Sequence, residues 1–298
     1  MMPDRRRQYV LNLLRAQDRS NDDPLWVQVQ ANLERIWRNG SRARDILIRE
    51  SFSQVPWADP APPPSVPLAS ALLHSKGLQL RLALLLIFIQ QAEAKAGRNE
   101  RTINDWCDLI LSASTPTRGW VSGSIRTTRS LRTRQITEAL RELDERGFVR
   151  IPRNNKNGRR QYDNFRVRYA EPTEGEMVLR LPSGFFRNLW VFALTDAEIA
   201  TYLMLLSQHQ RFTNERRHTF FVMAEDRESR FHLRRSTWRS IGTLTRFGLI
   251  SQPGWTANRP RLNEDGSRDW DLIEHQIQLQ VLDAPALTVI PAALGLDV

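Results

Sequence analysis

The sequence predicts a mainly helical α+β protein: two tandem copies of one helix–glycine–strand–hairpin unit behind an N-terminal helical extension. Three observations carry that expectation. The first is the stretch Ser130 to Tyr169. Ile136, Leu140 and Leu143 recur at spacings of four and three, which places them on one face of a helix. Gly147 follows, suited to the left-handed turn that closes a helix. Val149 and Ile151 then alternate as a strand, Asn155-Lys-Asn-Gly158 signals a hairpin tip, and Tyr162, Phe165 and Val167 mark the return strand. The second observation is repetition. With Gly248 set on Gly147, Leu244 falls on Leu143, Ile241 on Leu140, Leu249 on Phe148 and Ile250 on Val149. The third is charge: from Arg98 to Arg168 the chain has 16 basic residues against 8 acidic ones.

In chain order, residues 1–54 read as an N-terminal helical region. Tyr9, Leu13 and Leu14 make one apolar stripe, Trp26, Val29, Leu33 and Trp37 a second, and a third short helix is expected over Ala43 to Ser51. Residues 55–67 hold six prolines. Proline fixes φ and removes a backbone donor, so this segment reads as an extended linker. The first unit then occupies 68–170. Its leading helix, Gly77 to Lys95, has Leu78, Leu82, Leu85 and Ile89 on one side, with Leu84, Leu86 and Phe88 widening the arc. A short helix over Ile103 to Leu111 follows, then a polar segment, Ser112 to Arg129, carrying Arg118, Trp120, Arg126 and Arg129. Ser130 and Thr133 are the expected caps of the next helix.

The second unit spans 171–282. It opens with a strand at Val178 to Leu181. Thr195 and Glu198 have capping-box spacing ahead of a helix carrying Ile199, Tyr202, Leu203 and Leu206. A polar helix over Ala224 to Phe231 precedes the repeated stretch, His232 to Ile250. The second hairpin has a long tip, Pro253 to Asp269, with Arg259, Arg261 and Arg268 beside Glu264 and Asp265. Residues 283–298 form an apolar tail. That tail and residues 1–54 are the candidate surfaces for a homodimer or a protein partner.

Composition narrows the function. The formal net charge is +10 over 298 residues, which favours polyanions, nucleic acid ahead of membrane. Only Lys76, Lys95 and Lys156 among 43 basic residues are lysine, a ratio that GC-rich coding also produces, so the placement of charge is more telling than its total. Cys107 is the single cysteine and no two histidines have HxxxH or HExxH spacing, so no metal site and no cofactor are expected. The longest apolar run, Leu82 to Ile89, is too short to span a bilayer, and no signal-length apolar run follows the N-terminus. A cytoplasmic, nucleoid-associated protein without membrane contact is the expectation. No catalytic residues are assigned. Glu225, Asp226 and Glu228 form the densest acidic cluster, and they read as partners of Arg227 and Arg230 rather than as metal ligands.

Helix, glycine, strand, basic hairpin, strand is the element order of a winged helix-turn-helix, and the two units resemble that superfamily. Two such domains in tandem resemble plasmid or phage replication initiators. The resemblance implies a non-catalytic protein that binds double-stranded DNA, as a replication initiator or a transcription regulator. The alternative is a winged-helix scaffold or interaction subunit of a larger nucleoprotein complex, in defence or partition. On the first reading Arg132, Thr133, Arg134, Gln135 and Glu138 lie in the first turns of a recognition helix, where Arg and Gln can reach base edges. Arg153, Lys156, Arg159 and Arg160 of the hairpin meet phosphates. In the second unit Arg234, Arg235, Ser236 and Arg239 fall on Thr133, Arg134, Gln135 and Glu138.

Overall fold

A computed structural model describes residues 4–15, 24–55, 66–73, 77–93, 101–111, 125–169, 172, 176–212, 220, 222–252, 261–262, 268–269, 277–280 and 282–296. The fold is mainly helical α+β. Its centre is α5 (Gln79–Glu93), whose run of leucines, Ile87, Phe88 and Ile89 is buried on every side. A helix apolar all round needs neighbours all round. These include α2 (Leu25–Asn39), α7 (Ile125–Glu145) and the short α9 (Trp190–Ala193). Phe88 stacks on Phe186 of α8 (Gly184–Arg187), with ring centroids 4.6 Å apart.

The expected third N-terminal helix is instead a strand, β1 (Asp45–Arg49), followed by one turn of helix, α3 (Glu50–Ser53). Ile46 and Ile48 alternate inward, and β1 pairs antiparallel with β4 (Val178–Pro182), where Leu179 and Leu181 do the same. Leu47 faces Arg180 at the middle of this ribbon. Gln91 of α5 accepts from Leu47 N at 2.9 Å and donates to Leu47 O at 2.7 Å. Gln210 of α10 (Asp196–Phe212) treats Arg180 alike, accepting from its N at 2.9 Å and donating to its O at 2.7 Å. The ribbon therefore has a local two-fold axis between Leu47 and Arg180. β4 opens the second unit, and β1, within residues 1–54, pairs with it while being held by Gln91 of the first, so residues 1–54 share a core with both units rather than standing apart.

The proline-rich segment does not separate two bodies either. Before it, Val55 N donates to Arg230 O at 2.9 Å. After it, Ser70 Oγ of α4 (Leu68–Leu72) donates to Phe231 O. Its two flanks thus meet adjacent residues of the second unit. Pro56 to Ser65 lie outside the described residues.

Both chain ends fold onto the shared core. The first helix, α1 (Asp4–Arg15), packs on α14 (Ala286–Leu294). Val10, Leu13, Leu287, Ile290 and Leu294 are buried, so the apolar faces read as partner contacts are filled by the chain itself. Arg6 donates to Ala193 O at 2.7 Å and to Glu198 Oε2 at 2.8 Å. Arg81 of α5 donates to Leu194 O at 2.9 Å and stands 3.1 Å from Asp196. Burial pushes the carboxyls of Asp196 and Glu198 up from their ordinary range, while Arg81 and Arg6 respectively hold them down. Thr195 N donates to Glu198 Oε2 at 2.8 Å, and Glu198 N donates to Thr195 Oγ1 at 3.3 Å, so both arms of the capping box are made.

The repeated unit has the same hydrogen bonds in both copies. After α7, Gly147 takes φ +75°, its N donates to Asp144 O at 3.0 Å, and Phe148 N donates to Leu143 O at 2.9 Å. After α12 (Arg235–Trp238) and α13 (Ser240–Arg246), Gly248 takes φ +69°, its N donates to Thr245 O at 3.0 Å, and Leu249 N donates to Leu244 O at 3.0 Å. This is a Schellman closure, and only glycine takes its left-handed residue without strain. The strands β2 (Val149–Arg150) and β3 (Arg166–Val167) pair antiparallel. In the second copy the short β6 (Arg261–Leu262) and β7 (Arg268–Asp269) pair with each other inside the hairpin, while β5 (Ile250–Ser251) pairs with β8 (Gln278–Leu279). The remaining helices, α6 (Ile103–Cys107) and α11 (Ala224–Ser229), precede the repeated stretch in each copy.

Candidate nucleic-acid interface

Helix α7 starts at Ile125, so Ser130 and Thr133 lie inside it and are not its caps. Thr133 Oγ1 donates back to Arg129 O at 3.0 Å and lies 3.5 Å from Cys107 Sγ, turned toward the protein. Arg132 is a larger correction. It is 3% exposed, and its Nη1 donates to the Cys107 carbonyl at 3.0 Å. The cause is periodicity: Arg132 is four residues before Ile136, on the stripe that continues through Leu140 and Leu143 to the core. It ties α7 to α6 and cannot read a base. Gln135 is half-buried, its amide carbonyl turned inward without a partner.

The face of α7 open to solvent carries Leu131, Arg134, Glu138, Arg141 and Glu145. It is neutralised along its length. Arg134 Nε donates to Glu138 Oε1 at 3.0 Å, and Arg141 lies 3.9 Å from Glu145. Leu131 is 44% exposed.

The hairpin after α7 carries uncompensated charge. Asn154 N donates to Arg159 O and Gly158 N to Asn154 O, both at 2.8 Å, and Gly158 takes φ +66°. This tight tip leaves Arg153, Lys156 and Arg159 exposed. Arg150, Arg166 and Arg168 are exposed on the strand segments beside them. None of these six has an ion-pair partner among the described residues. Arg160 differs: its Nε donates to Asp144 Oδ2 at 3.3 Å and its Nη2 lies 3.7 Å from Glu145, so it fastens the hairpin to the end of α7. Sequence reasoning placed Arg160 on phosphate and left Arg150, Arg166 and Arg168 out of the interface. The strict alternation of arginine at 166 and 168 was the available signal.

In the second unit the helix corresponding to α7 is interrupted at Arg239, between α12 and α13. Thr201 Oγ1 of α10 donates to Thr237 O at 3.3 Å at this break. Arg234, Arg235, Ser236 and Arg239 are all exposed, and the three arginines have no ion-pair partner among the described residues. No carboxylate occurs from Arg234 through Arg246. The hairpin tip with Arg259, Glu264 and Asp265 lies outside the described residues, as do Arg118 and Trp120 of the segment before α7.

Two members of the acidic cluster are paired locally: Arg227 donates to Glu228 Oε1 at 2.6 Å, and Arg230 lies 3.5 Å from Asp226. Among the described residues no group of three or more His, Cys, Asp and Glu is placed to hold a metal ion, and no helix is long and apolar enough to cross a membrane. No protein-family model, curated protein or solved structure matches this chain.

Proposed function

We propose that this chain is a non-catalytic duplex-DNA-binding protein built on two winged helices, acting as a replication initiator or a transcription regulator. One observation carries the reading. Unpaired arginines and a lysine sit on the two kinds of element that a winged helix offers to DNA, the helix (Arg234, Arg235, Arg239) and the hairpin (Arg153, Lys156, Arg159). A major groove admits one helix, and a basic hairpin beside it meets phosphates. On this reading the protein is nucleoid-associated and cytoplasmic.

The test is binding of the full chain to a random-sequence duplex pool at two salt concentrations, with selection and sequencing. A specific binder enriches a defined, two-part site. A pool that stays random, with weak binding that disappears near physiological salt, would overturn the reading. A second reading, an interaction subunit of a larger nucleoprotein complex, is favoured by the charge-balanced face of α7 and its exposed Leu131.

A further inference from the structure

Arg134 and Glu138 occupy the two helix positions that Arg235 and Arg239 occupy in the second unit. The two pairs differ in the sign of one charge. In α7 the i+4 residue is a carboxylate that takes the Nε–H of Arg134 at 3.0 Å. In the second unit it is a second arginine, and neither Arg235 nor Arg239 has an ion-pair partner among the described residues.

This difference has two physical consequences. A guanidinium is a planar fork of five N–H donors. With Nε–H donated to Glu138, the two terminal nitrogens of Arg134 remain, and the exposed i,i+4 pair favours one orientation of them. Two parallel donors match O6 and N7 of guanine. Glu138 also carries a charge that repels phosphate, so Arg134 gains less from any backbone oxygen that a different register would offer. Arg235 and Arg239 have neither restraint. Two like charges one helical turn apart repel each other unless an anion lies between or across them, and a phosphate backbone supplies that anion wherever the helix lands.

We propose that Glu138 makes the first unit the reader of guanine, through Arg134, and that Arg239 at the matching position makes the second unit a sequence-tolerant grip on the phosphate backbone. The inference rests on the DNA-binding reading above and deepens it.

The experiment compares the full-length wild type with Glu138→Gln, Glu138→Arg and Arg239→Glu. All three substitutions are at exposed positions, and a thermal melt checks that each variant folds. Each is selected on the random duplex pool and titrated over a salt series. Glu138→Gln is expected to lower the preference for guanine at the site read by α7 about twofold. Glu138→Arg is expected to do the same and to steepen the log K against log salt line by about 0.9, one added phosphate contact. Arg239→Glu is expected to weaken binding to every sequence and flatten that line by about 0.9, leaving the guanine preference intact. The inference is overturned if both Glu138 variants keep the wild-type preference and slope while Arg239→Glu still weakens binding. DNA binding then stands, and the balanced face of α7 is a protein contact. If the wild type itself enriches no site and Arg239→Glu changes nothing, the DNA-binding reading fails as well.

Discussion

Gln91 and Gln210 make the same two-point clamp on the two residues that face each other at the centre of the β1–β4 ribbon. A two-stranded ribbon has two open edges, each a row of unpaired N–H and C=O groups that invites another strand. Each glutamine amide supplies one acceptor and one donor to one edge, standing in for the peptide group of a third strand. Arg49 N, further along the β1 edge, donates to the hydroxyl of Tyr169. Pro182, at the end of β4, has no N–H to leave unpaired.

Replacing either glutamine by alanine leaves a strand N–H and C=O without their partners. The Gln91 clamp is half-buried and the Gln210 clamp is exposed to water, which replaces part of the loss. Gln91→Ala should therefore cost about 1–3 kcal/mol and Gln210→Ala less. Urea unfolding of both variants checks this. Equal, negligible losses would mean that the ribbon edges do not need their clamps.

Arg132 and Arg134 are two residues apart and should behave oppositely. Arg132→Ala removes a buried guanidinium that satisfies the Cys107 carbonyl, so unfolding free energy should fall by about 1–3 kcal/mol. The salt dependence of DNA binding should be unchanged. Arg134→Ala removes a side chain that is 76% exposed, and stability should stay within about 0.5 kcal/mol of wild type. If Arg132→Ala leaves the melt untouched and flattens the salt dependence, its side chain is at the interface after all.

The hairpin arginines divide in the same way. Replacing Arg153, Lys156 and Arg159 together by alanine should weaken binding to all duplexes and flatten the salt slope by roughly 2.7, three contacts at 0.9 each. Arg160→Ala releases Asp144 and Glu145 at the end of α7. It should loosen the hairpin, seen as faster amide exchange over residues 153–160, before it affects charge-driven binding. Identical salt slopes for the triple variant and wild type would remove the hairpin from the interface.

The repeat was legible because it is local. A glycine, the apolar face four and seven residues before it and the alternation after it recur within about 18 residues, and the matching Schellman closures at Gly147 and Gly248 follow from that pattern alone. Arg132 was misread because the helix was started at Ser130. Counting back from Ile136 by four places Arg132 on the buried stripe, and an arginine there needs a carbonyl, which α6 supplies. Strand β1 was misread for a different reason. Asp45-Ile-Leu-Ile-Arg49 is too short for its period to decide, and its strand partner lies 129–137 residues away. The glutamine clamps and the contacts of Val55 and Ser70 with Arg230 and Phe231 depend on tertiary structure that leaves no period in the sequence.

Gly40 tests how tightly the N-terminal region is docked. It follows α2, and Ser41 N donates to Ala92 O at 2.7 Å. A Cβ on Gly40 would stand 1.8 Å from that same Ala92 oxygen, a backbone atom near the end of the buried α5 that cannot swing aside. The φ of −109° is outside the left-handed region, so the case for glycine here rests on space. Gly40→Ala should destabilise by about 1–3 kcal/mol through overpacking. A thermal melt at wild-type temperature would show that α2 can shift away from α5 at no cost.

Tyr169 gives the fold an alkaline limit. Burial pushes its phenol up to about 12, against the hydrogen bond from Arg49 N, which favours the ionised form. An unfolded tyrosine ionises near about 10. The folded chain therefore holds the phenol proton where the unfolded chain releases it, and stability falls as pH rises. The contribution is complete below pH of about 10 and is lost as pH climbs through about 12, with an upper bound near about 3 kcal/mol. Tyr202, also raised by burial, adds a limb of its own that Tyr169→Phe leaves in place. Tyr169→Phe should cost about 1–3 kcal/mol at neutral pH, since Arg49 N loses its acceptor. Between pH of about 9 and 11 it should then lose less further stability than wild type. Urea midpoints measured across that range decide the matter: a constant gap between the two proteins would mean that the Tyr169 phenol titrates alike folded and unfolded.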